Sequence, residues 1–472
     1  MNDVRMNSAK ADSEGSLATG VKMNDLTRSA TTAAVPLDTA PIWVVHIEVR
    51  LKPTSSALVD VIRRHVKQHI SSDETLLLPS IITGWEGQSL LYQNVELIRA
   101  SESTYPHSSL PLDQAELDVH VYQPNDTDAF EEFSTTGKGD GDDMMAASVC
   151  DLPCRSWDGL WDTLIYPDDI KPQLLNYIYA TLLFSDRDVN FNVITWNRVV
   201  FLHGPPGTGK TSLCRALAQK LSIRLSERYP TSKLVEINSH SLFSKWFSES
   251  GKLVQRLFAS VTDMVDEEGT FVVLLIDEVE SLTAARAGAV AGTEPSDALR
   301  VVNALLTQLD KLKHRKNVLV MTTSNLVDAI DTAFIDRADI VQYVGLPPQE
   351  GIYWILQSCI VELIRAQIVS PVELVDPKTL QFANNIKVEL NEDDRAQRAS
   401  TRLWELAGQC IGMSGRSLRR LPVLAHARHI GASAIGGRAS DIGVWLDAMT
   451  KVVADERNGR LFSGKGGAGT SV

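Results

Sequence analysis

The octapeptide GPPGTGKT, residues 204–211, matches the pattern G-x-x-x-x-G-K-[ST] at every position. It follows a short apolar run, residues 199–202, and precedes a segment in which leucines recur at helical spacing. Between a strand and a helix, the glycines of such a loop let backbone N–H groups surround phosphate oxygens, and the helix N-terminus adds its dipole. The sequence therefore predicts a phosphate-binding loop.

Two side chains of this loop have predicted roles. We expect Lys210 to reach the β and γ phosphates of a nucleotide and the hydroxyl group of Thr211 to ligate Mg²⁺. A Gly-Pro turn that only enters a helix is the alternative, and the complete match in its strand–helix context disfavours it. The residues predicted to contact the nucleotide are Gly204, Pro205, Pro206, Gly207, Thr208, Gly209, Lys210, Thr211 and Ser212.

A second apolar run, residues 271–276, leads directly into Asp277 and Glu278. A buried strand places carboxylates that follow it at the carboxyl edge of the sheet, where ligands of open α/β sheets bind. We expect Asp277 to hold Mg²⁺ and Glu278 to polarise the attacking water as a general base. A solvated strand end with an acidic turn is the simpler interpretation, which the neighbouring phosphate loop disfavours.

Asn325 stands in a polar tip, T-T-S-N, at the end of another apolar run, residues 318–321. We expect it to hold the lytic water or the γ phosphate, with an asparagine in an ordinary turn as the alternative. Guanine specificity is disfavoured because Leu326 occupies the lysine position of N-K-x-D and Glu280 the glycine position of D-x-x-G. The predicted cofactors are ATP and Mg²⁺.

Strand-length apolar runs alternate with helical patterns over residues 150–348, which predicts right-handed βαβ crossovers and a parallel sheet covered on both faces. Helical patterns dominate over residues 349–456. Residues 41–134 combine alternating runs with a helical stretch and predict a small α+β domain. Gly- and Asp-rich residues 135–149 are predicted to be a linker, and disordered tails are expected at residues 1–40 and 457–472.

Composition limits the classes of partner. The chain has 472 residues, with 46 Lys and Arg against 59 Asp and Glu, so its net charge of −13 disfavours a partner bound mainly through phosphate neutralisation. No apolar run approaches the roughly 20 residues that span a bilayer. Five scattered cysteines, without a secretory signal in the first forty residues, favour the cytosol or nucleus. Cys150 and Cys154 lack a second pair, so no zinc site is predicted.

Several motifs in order resemble those of the pachytene checkpoint ATPases, a branch of the AAA+ ATPases that remodels HORMA-domain proteins. These motifs are N-R-V-V-F-L-H before the phosphate loop, then S-K-W-F-S-E-S-G-K-L-V, D-R-A-D and G-M-S-G-R-S-L-R-R-L-P. The resemblance covers roughly residues 150–430, with a weaker similarity in the N-terminal domain. It implies an AAA+ P-loop fold of the α/β class, with a parallel-sheet large subdomain, a helical lid subdomain and a small α+β N-terminal domain.

The resemblance also implies a homohexameric ring that binds ATP between subunits. Lys245, Trp246 and Phe247 match the family's pore loop, in which aromatic side chains grip an extended substrate segment. Packing at the start of the following helix is the alternative for these aromatic residues. Arg337 falls where AAA+ proteins carry an arginine finger, which stabilises transition-state charge on the neighbouring subunit's nucleotide. A salt bridge to Asp336 or Asp339 is the alternative for Arg337.

Arg416 matches the second sensor of the family, a lid arginine that touches the γ phosphate of its own subunit. Ser414 is expected to cap the helix that carries it. Through Arg416, the nucleotide state would move the lid relative to the sheet domain. A solvated arginine in the basic run that includes Arg419 and Arg420 is the alternative.

The expected function is ATP-driven remodelling, in which the N-terminal domain recruits a HORMA-domain client, directly or through an adaptor, and the ring threads part of it. By resemblance, the clients lie on meiotic chromosome axes and in the spindle checkpoint, which implies nuclear and cytoplasmic locations. We expect no membrane partner and no direct nucleic-acid partner. The alternatives are an AAA+ loader or helicase acting on nucleic acid, an ATP-gated adaptor without significant turnover, and a small-molecule P-loop kinase.

Overall fold

The structure, a computed structural model, describes most of the chain beyond the first 41 residues. The predicted tail 1–40 and the predicted pore-loop residues Lys245, Trp246 and Phe247 lie outside the described residues. Among the residues that are described, no helix combines the length and the apolar character needed to cross a membrane. The described ranges are 42–126, 131–134, 145–239, 250–281, 296–326, 332–375, 395–431 and 439–463.

A seven-stranded sheet forms the centre of the larger domain. Five neighbouring strands run parallel; apolar runs in the sequence predict four of them and miss Ile340–Tyr343. Two further strands extend one side through antiparallel pairing. The phosphate loop follows the strand Val199–His203, and Asp277 ends the strand Thr270–Asp277. In order across the sheet, the strands are Ile340–Tyr343, Val199–His203, Val318–Ser324, Thr270–Asp277, Thr231–Asn238, Met145–Leu152 and Glu131–Ser134.

Helices cover both faces of this sheet because residues of its strands point alternately to the two sides. In the strand Thr270–Asp277, one set of alternate residues packs against the helices Ser250–Asp266 and Ser296–Leu312. The other set packs against the helices Ile170–Asp186 and Lys210–Arg224. The strand is therefore buried on both faces, which explains its continuous run of apolar residues.

The predicted boundary between the first two domains is wrong. Residues 135–149 were expected to be a linker and the α+β domain was expected to extend to residue 134. Instead, the strand Met145–Leu152 pairs with Thr231–Asn238, and Glu131–Ser134 pairs with Met145–Leu152, so both belong to the larger sheet. These two strands are hard to recognise in the sequence because apolar residues alternate in each of them over only a few positions. The Gly- and Asp-rich composition of the residues between them is typical of a linker.

In the part of the C-terminal domain that the structure describes, four long helices surround a separate apolar core. They are Gln349–Arg365, Arg395–Gln409, Gly415–Ala425 and Ile442–Ser463, and a π-helical turn, His426–Ile430, follows the third. The last helix corrects the expectation of a disordered tail from residue 457, since it continues to Ser463. Residues 464–472 lie outside the described part of the chain.

The N-terminal domain is built on a four-stranded sheet in the order Ser80–Ile82, Val95–Ser103, Trp43–Leu51 and Ala115–Tyr122. The last two strands are parallel and the other pairs antiparallel. Helices Val59–Ile70 and Ser89–Asn94 and a two-stranded ribbon, Thr75–Leu77 with Ser109–Pro111, complete it. Shorter helical segments of the chain are Trp85–Gly87, Leu112–Gln114, Arg155–Trp157, Leu160–Thr163 and Thr332–Ile335.

The N-terminal domain contacts the far end of the helix Lys210–Arg224, which begins at the phosphate loop. Lys220 Nζ lies 2.5 Å from Glu48 Oε1 and 3.1 Å from Glu102 Oε2, and Arg224 pairs with Glu102. The Lys220 and Arg224 side chains are only 4% and 1% exposed. We name these four residues the interdomain ion cluster.

Candidate active site

The glycines of the phosphate loop adopt backbone conformations that other residues rarely reach. Gly204 and Gly207 have φ angles of 147° and 76°. A Cβ atom at Gly204 would lie 2.2 Å from the carbonyl oxygen of Val344, so the loop packs directly on the strand end beside it. A Cβ atom at Gly207 would lie 3.0 Å from Ser414 Oγ and 3.2 Å from Arg416 Cβ. Only glycine therefore lets the loop lie between the sheet and the helical domain.

Lys210 lies at the start of the following helix and is buried. Its Nζ atom donates hydrogen bonds to the carbonyl oxygens of Gly204 and Pro205, both at 2.9 Å, and to Asn325 Oδ1 at 2.7 Å. Burial lowers the pKa of the Lys210 amine, and the carboxylates of the site oppose this shift. The structure thus places the predicted phosphate lysine and the predicted Asn325 in contact.

The predicted metal ligands also lie together. Thr211 Oγ1 is 3.1 Å from both carboxylate oxygens of Asp277. A hydroxyl group and a carboxylate are the hard oxygen donors that Mg²⁺ prefers, and Mg²⁺ in nucleotide sites takes further ligands from water and phosphate. The residues present therefore fit a magnesium ion.

Glu278 follows Asp277 in a left-handed backbone conformation, with a φ angle of 58°. This conformation costs a non-glycine residue about 1–2 kcal/mol, so surrounding contacts must hold it. One such contact is the hydrogen bond that the Glu278 backbone N–H donates to Thr323 Oγ1 at 3.2 Å. The Thr323 hydroxyl group in turn donates to Asp277 Oδ1. Thr323 therefore positions both predicted carboxylate residues.

Thr323 and Glu280 are site residues that sequence reasoning missed. Glu280 Oε1 accepts hydrogen bonds from the backbone N–H of Asn325 at 3.2 Å and from its side-chain amide at 2.9 Å. Asn325 consequently connects Lys210 to Glu280. In the sequence, only the polar composition of the strand end T-T-S-N indicates that Thr323 lies at the site, and Glu280 stands out only as a departure from a GTPase motif.

We predict that Thr323→Val lowers the ATPase rate about 10- to 100-fold. The substitution keeps the shape of the side chain but removes a hydrogen bond to a charged carboxylate, which is worth about 1.5–3 kcal/mol. The measurement is steady-state phosphate release. Thr322→Val is the matched control, because Thr322 is equally buried on the same strand and its side chain points to the opposite face of the sheet. Equal losses in both variants would contradict a positioning role for Thr323.

The helical domain reaches the phosphate loop through the start of the helix Gly415–Ala425. Ser414 is the N-cap of this helix, and its side chain accepts a hydrogen bond from the Ser417 backbone N–H at 3.3 Å, which confirms the predicted cap. A Cβ atom at Gly415 would lie 3.3 Å from the Gly207 carbonyl oxygen. Arg416, the predicted second sensor, therefore extends from a backbone that lies against the loop.

The salt-bridge partner of Arg337 is neither Asp336 nor Asp339, the two carboxylates suggested by the sequence. Its guanidinium group forms a fork with Asp310, at 3.0 Å from Nε to Oδ1 and 2.8 Å from Nη2 to Oδ2. Nη1 also donates to the carbonyl oxygen of Ala333 at 2.8 Å. Asp339 instead accepts hydrogen bonds from the backbone N–H groups of Asn197 and Arg198, both at 2.7 Å. Sequence proximity suggested Asp339, but it faces the neighbouring strand.

The arrangement has the parts that hydrolysis of a phosphoanhydride requires. Backbone N–H groups and Lys210 can hold the phosphates, Thr211 and Asp277 can hold Mg²⁺, and Glu278 can act as the base. The predicted pore-loop residues Lys245, Trp246 and Phe247 lie within 240–249, outside the described residues, so the structure gives them no position.

Profiles of known protein families match three consecutive parts of the chain. Residues 40–127 match the TRIP13 N-terminal domain. Residues 200–346 match the ATPase family associated with various cellular activities (AAA), and residues 348–457 match the TRIP13-like AAA+ ATPase lid C-terminal domain. The three matches correspond to the N-terminal domain, the larger sheet and the helical domain.

Whole-chain comparisons agree with these profiles. Over 384 residues the chain is 46% identical to the pachytene checkpoint protein 2 homolog of Danio rerio, covering 81% of this chain and 88% of the relative. Over 394 residues it is 44% identical to the Homo sapiens homolog, covering 83% and 89%. The solved structure of C. elegans PCH-2 superposes with a TM-score of 0.67 at 31% identity, covering 89% of this chain and 100% of that one.

Proposed function

The chain belongs to the pachytene checkpoint protein 2 family of AAA+ ATPases, and from this premise we propose that it uses ATP hydrolysis to remodel HORMA-domain proteins. The ATPase activity itself follows from the AAA domain of this family. One observation carries the proposal: a complete set of phosphate, metal and base residues stands in one chain with a family-specific N-terminal domain and lid.

The hydrolytic step follows from the geometry of the loop and the strand ends. Backbone N–H groups of the loop and the ammonium group of Lys210 hold the β and γ phosphates. Thr211 and Asp277 would hold Mg²⁺, which supplies neutralisation of the phosphate charge when bound. Glu278 accepts the proton of the attacking water, and Thr323 fixes its backbone.

Threading of a client requires a pore, and we propose that the chain forms a homohexameric ring with Trp246 and Phe247 at its centre. Large aromatic side chains grip an extended chain without reading its sequence, since they offer wide contact area on few rotatable bonds. Lys245 precedes them in the same loop. The N-terminal domain would recruit the HORMA-domain client, directly or through an adaptor.

Two arginines would connect the nucleotide to the ring and the lid. We propose that Arg416 senses the γ phosphate in its own subunit, since its backbone lies beside Gly207. Arg337 would act on the neighbouring subunit's nucleotide. To do so, its guanidinium group must release the Asp310 carboxylate and bind the phosphate instead. We further propose action at meiotic chromosome axes and in the spindle checkpoint, with nuclear and cytoplasmic locations. The net charge of −13 favours protein clients over nucleic acid.

The test is a pulldown with the full-length Glu278→Gln variant in ATP, followed by identification of the retained molecules. Without turnover, the variant should keep its client, so HORMA-domain proteins are expected in the bound fraction. The matched control is the Glu278→Gln/Lys210→Ala double variant, which should lose both ATP and the client. Recovery of nucleic acid alone, or of the same proteins by both variants, would contradict the proposed function.

A further inference from the structure

Two histidines and an aspartate converge on one point of the N-terminal domain. His46 Nδ1 lies 3.1 Å from His120 Nε2, and each of these nitrogens lies 3.2 Å from Asp118 Oδ2. In the parallel pairing of the strands Trp43–Leu51 and Ala115–Tyr122, His46 stands opposite Asp118. His120 follows two positions later on the same face of the sheet. The register of two strands, and no flexible loop, therefore brings these three atoms together.

Hydrogen bonding alone gives an unfavourable account of this triangle. A neutral imidazole has one N–H group and one lone pair. If His46 Nδ1 and His120 Nε2 both carry protons toward Asp118, the two N–H groups lie side by side, with their nitrogens 3.1 Å apart, and converge on one carboxylate oxygen. If one nitrogen carries the only proton, it must share it between a nitrogen and an oxygen. Three lone pairs directed at a common centre are instead what a cation requires.

The dimensions of the triangle match a metal coordination sphere. Zinc bonds of about 2.0–2.1 Å place tetrahedral ligand atoms about 3.3–3.4 Å apart. The observed edges of 3.1–3.2 Å are within a small side-chain rotation of these values. We propose that His46, Asp118 and His120 bind a divalent transition-metal ion of the zinc class, with a water molecule in the fourth position.

The chemistry of the donors separates this site from the magnesium site. Two imidazole nitrogens favour zinc, cobalt, nickel or copper over Mg²⁺, which prefers oxygen. His120 is buried, with a side chain 6% exposed, while Asp118 is 46% exposed, so the ion has an entry path on the aspartate side. By coordinating side chains of both strands, the ion would bridge Trp43–Leu51 and Ala115–Tyr122.

Acidic side chains near the proposed metal site offset the positive charges of Lys220 and Arg224. Glu48 follows His46 by two positions and extends from the same face toward the interdomain ion cluster. There Glu48 and Glu102 pair with Lys220 and Arg224, which limits the repulsion between Arg224 and a bound cation. The site therefore lies beside the contact between the N-terminal domain and the ATPase domain.

The test is a Co²⁺ titration of the full-length protein, purified without a polyhistidine tag, stripped of metals and kept in excess Mg²⁺. We expect one equivalent of Co²⁺ to bind with visible d–d absorption bands, and Zn²⁺ to displace it. Asp118→Asn and His46→Gln should each weaken Co²⁺ binding by more than about 100-fold. This loss exceeds the roughly 10- to 100-fold loss of metal affinity that follows when a residue hydrogen-bonded to a metal ligand is replaced. His107→Gln, at an exposed histidine outside the cluster, is the control and should bind as the wild type does.

A second measurement does not depend on whether the variants fold. X-ray absorption at the zinc edge of the wild-type protein should show only nitrogen and oxygen ligands, with imidazole scattering from two histidines. A shell that contains sulfur would place the ion on cysteines and overturn the proposal. Absence of saturable Co²⁺ binding, or unchanged binding in Asp118→Asn, would also overturn it. Because these readouts report metal alone, they are independent of ATPase activity and of the client.

Discussion

Glu278→Gln is expected to lower the ATP turnover rate by about 10²–10⁴-fold, the usual contribution of a general base. Glutamine keeps the size of the side chain but cannot accept a proton from the attacking water. ATP binding should remain, because Lys210 and the loop backbone hold the phosphates without Glu278. The proposed hexamer should still assemble as well. The measurements are steady-state phosphate release, binding of a fluorescent ATP analogue and sedimentation.

The matched control is Glu268→Gln, which makes the same substitution at an exposed residue just before the opposite end of the strand Thr270–Asp277. We expect this control to hydrolyse ATP at the wild-type rate. Turnover by Glu278→Gln near the wild-type rate would remove Glu278 from the role of base. Loss of ATP binding in Glu278→Gln would instead assign it to ground-state binding.

Lys220→Met is expected to lower the free energy of unfolding by about 3–5 kcal/mol, because it leaves the buried carboxylate of Glu48 and the partly buried carboxylate of Glu102 without their ammonium partner. Burial alone would raise the pKa of Glu102, but the charge of Lys220, followed by that of Arg224, lowers it to about 2. Glu102 is therefore ionised at neutral pH. Its contribution to stability is present above its unfolded pKa and is lost as the pH falls toward 2. Chemical denaturation at pH 7, followed by tryptophan fluorescence, measures the loss.

The control for Lys220→Met is Lys316→Met, since Lys316 also pairs with a carboxylate, Asp188, but with side chains 56% and 87% exposed. An exposed pair is worth about 0–1 kcal/mol, so we expect little change. The Lys220→Met/Glu48→Gln double variant should be less destabilised than Lys220→Met, because it also removes a buried charge. Equal stability of the two single variants would show that the interdomain ion cluster contributes no more than a surface pair.

The phosphate loop and the strand end at Asp277 were predictable because each depends on a local pattern. GPPGTGKT requires a strand before it and a helix after it, and both neighbours carry clear periodicity. The carboxylates follow six consecutive apolar residues, which fixes their place at the sheet edge. In such cases the chain's own sequence over about a dozen residues determines the chemistry.

Contacts between distant segments were not predictable in the same way. His46 and Asp118 meet only because two strands pair in one register, and a shift by one residue would turn one of them to the other face. Lys220 and Arg224 carry charges that normally mark a solvated helix face, yet the N-terminal domain covers them. Arg337 likewise pairs with Asp310, on a helix 27 residues earlier in the sequence. Tertiary packing decides all three.

The antiparallel strand Met145–Leu152 would carry part of any force that passes between the N-terminal domain and the ATPase sheet. After the N-terminal domain, the chain enters the ATPase sheet at the edge strand Glu131–Ser134 and then forms Met145–Leu152, which pairs with Thr231–Asn238 at six consecutive positions, from Leu152–Ser232 to Ala147–Ile237. Tension along the strand loads these hydrogen bonds together, in shear, whereas a pull across it would break them one after another. A client held by the N-terminal domain would thus resist the motor through a mechanically stiff connection.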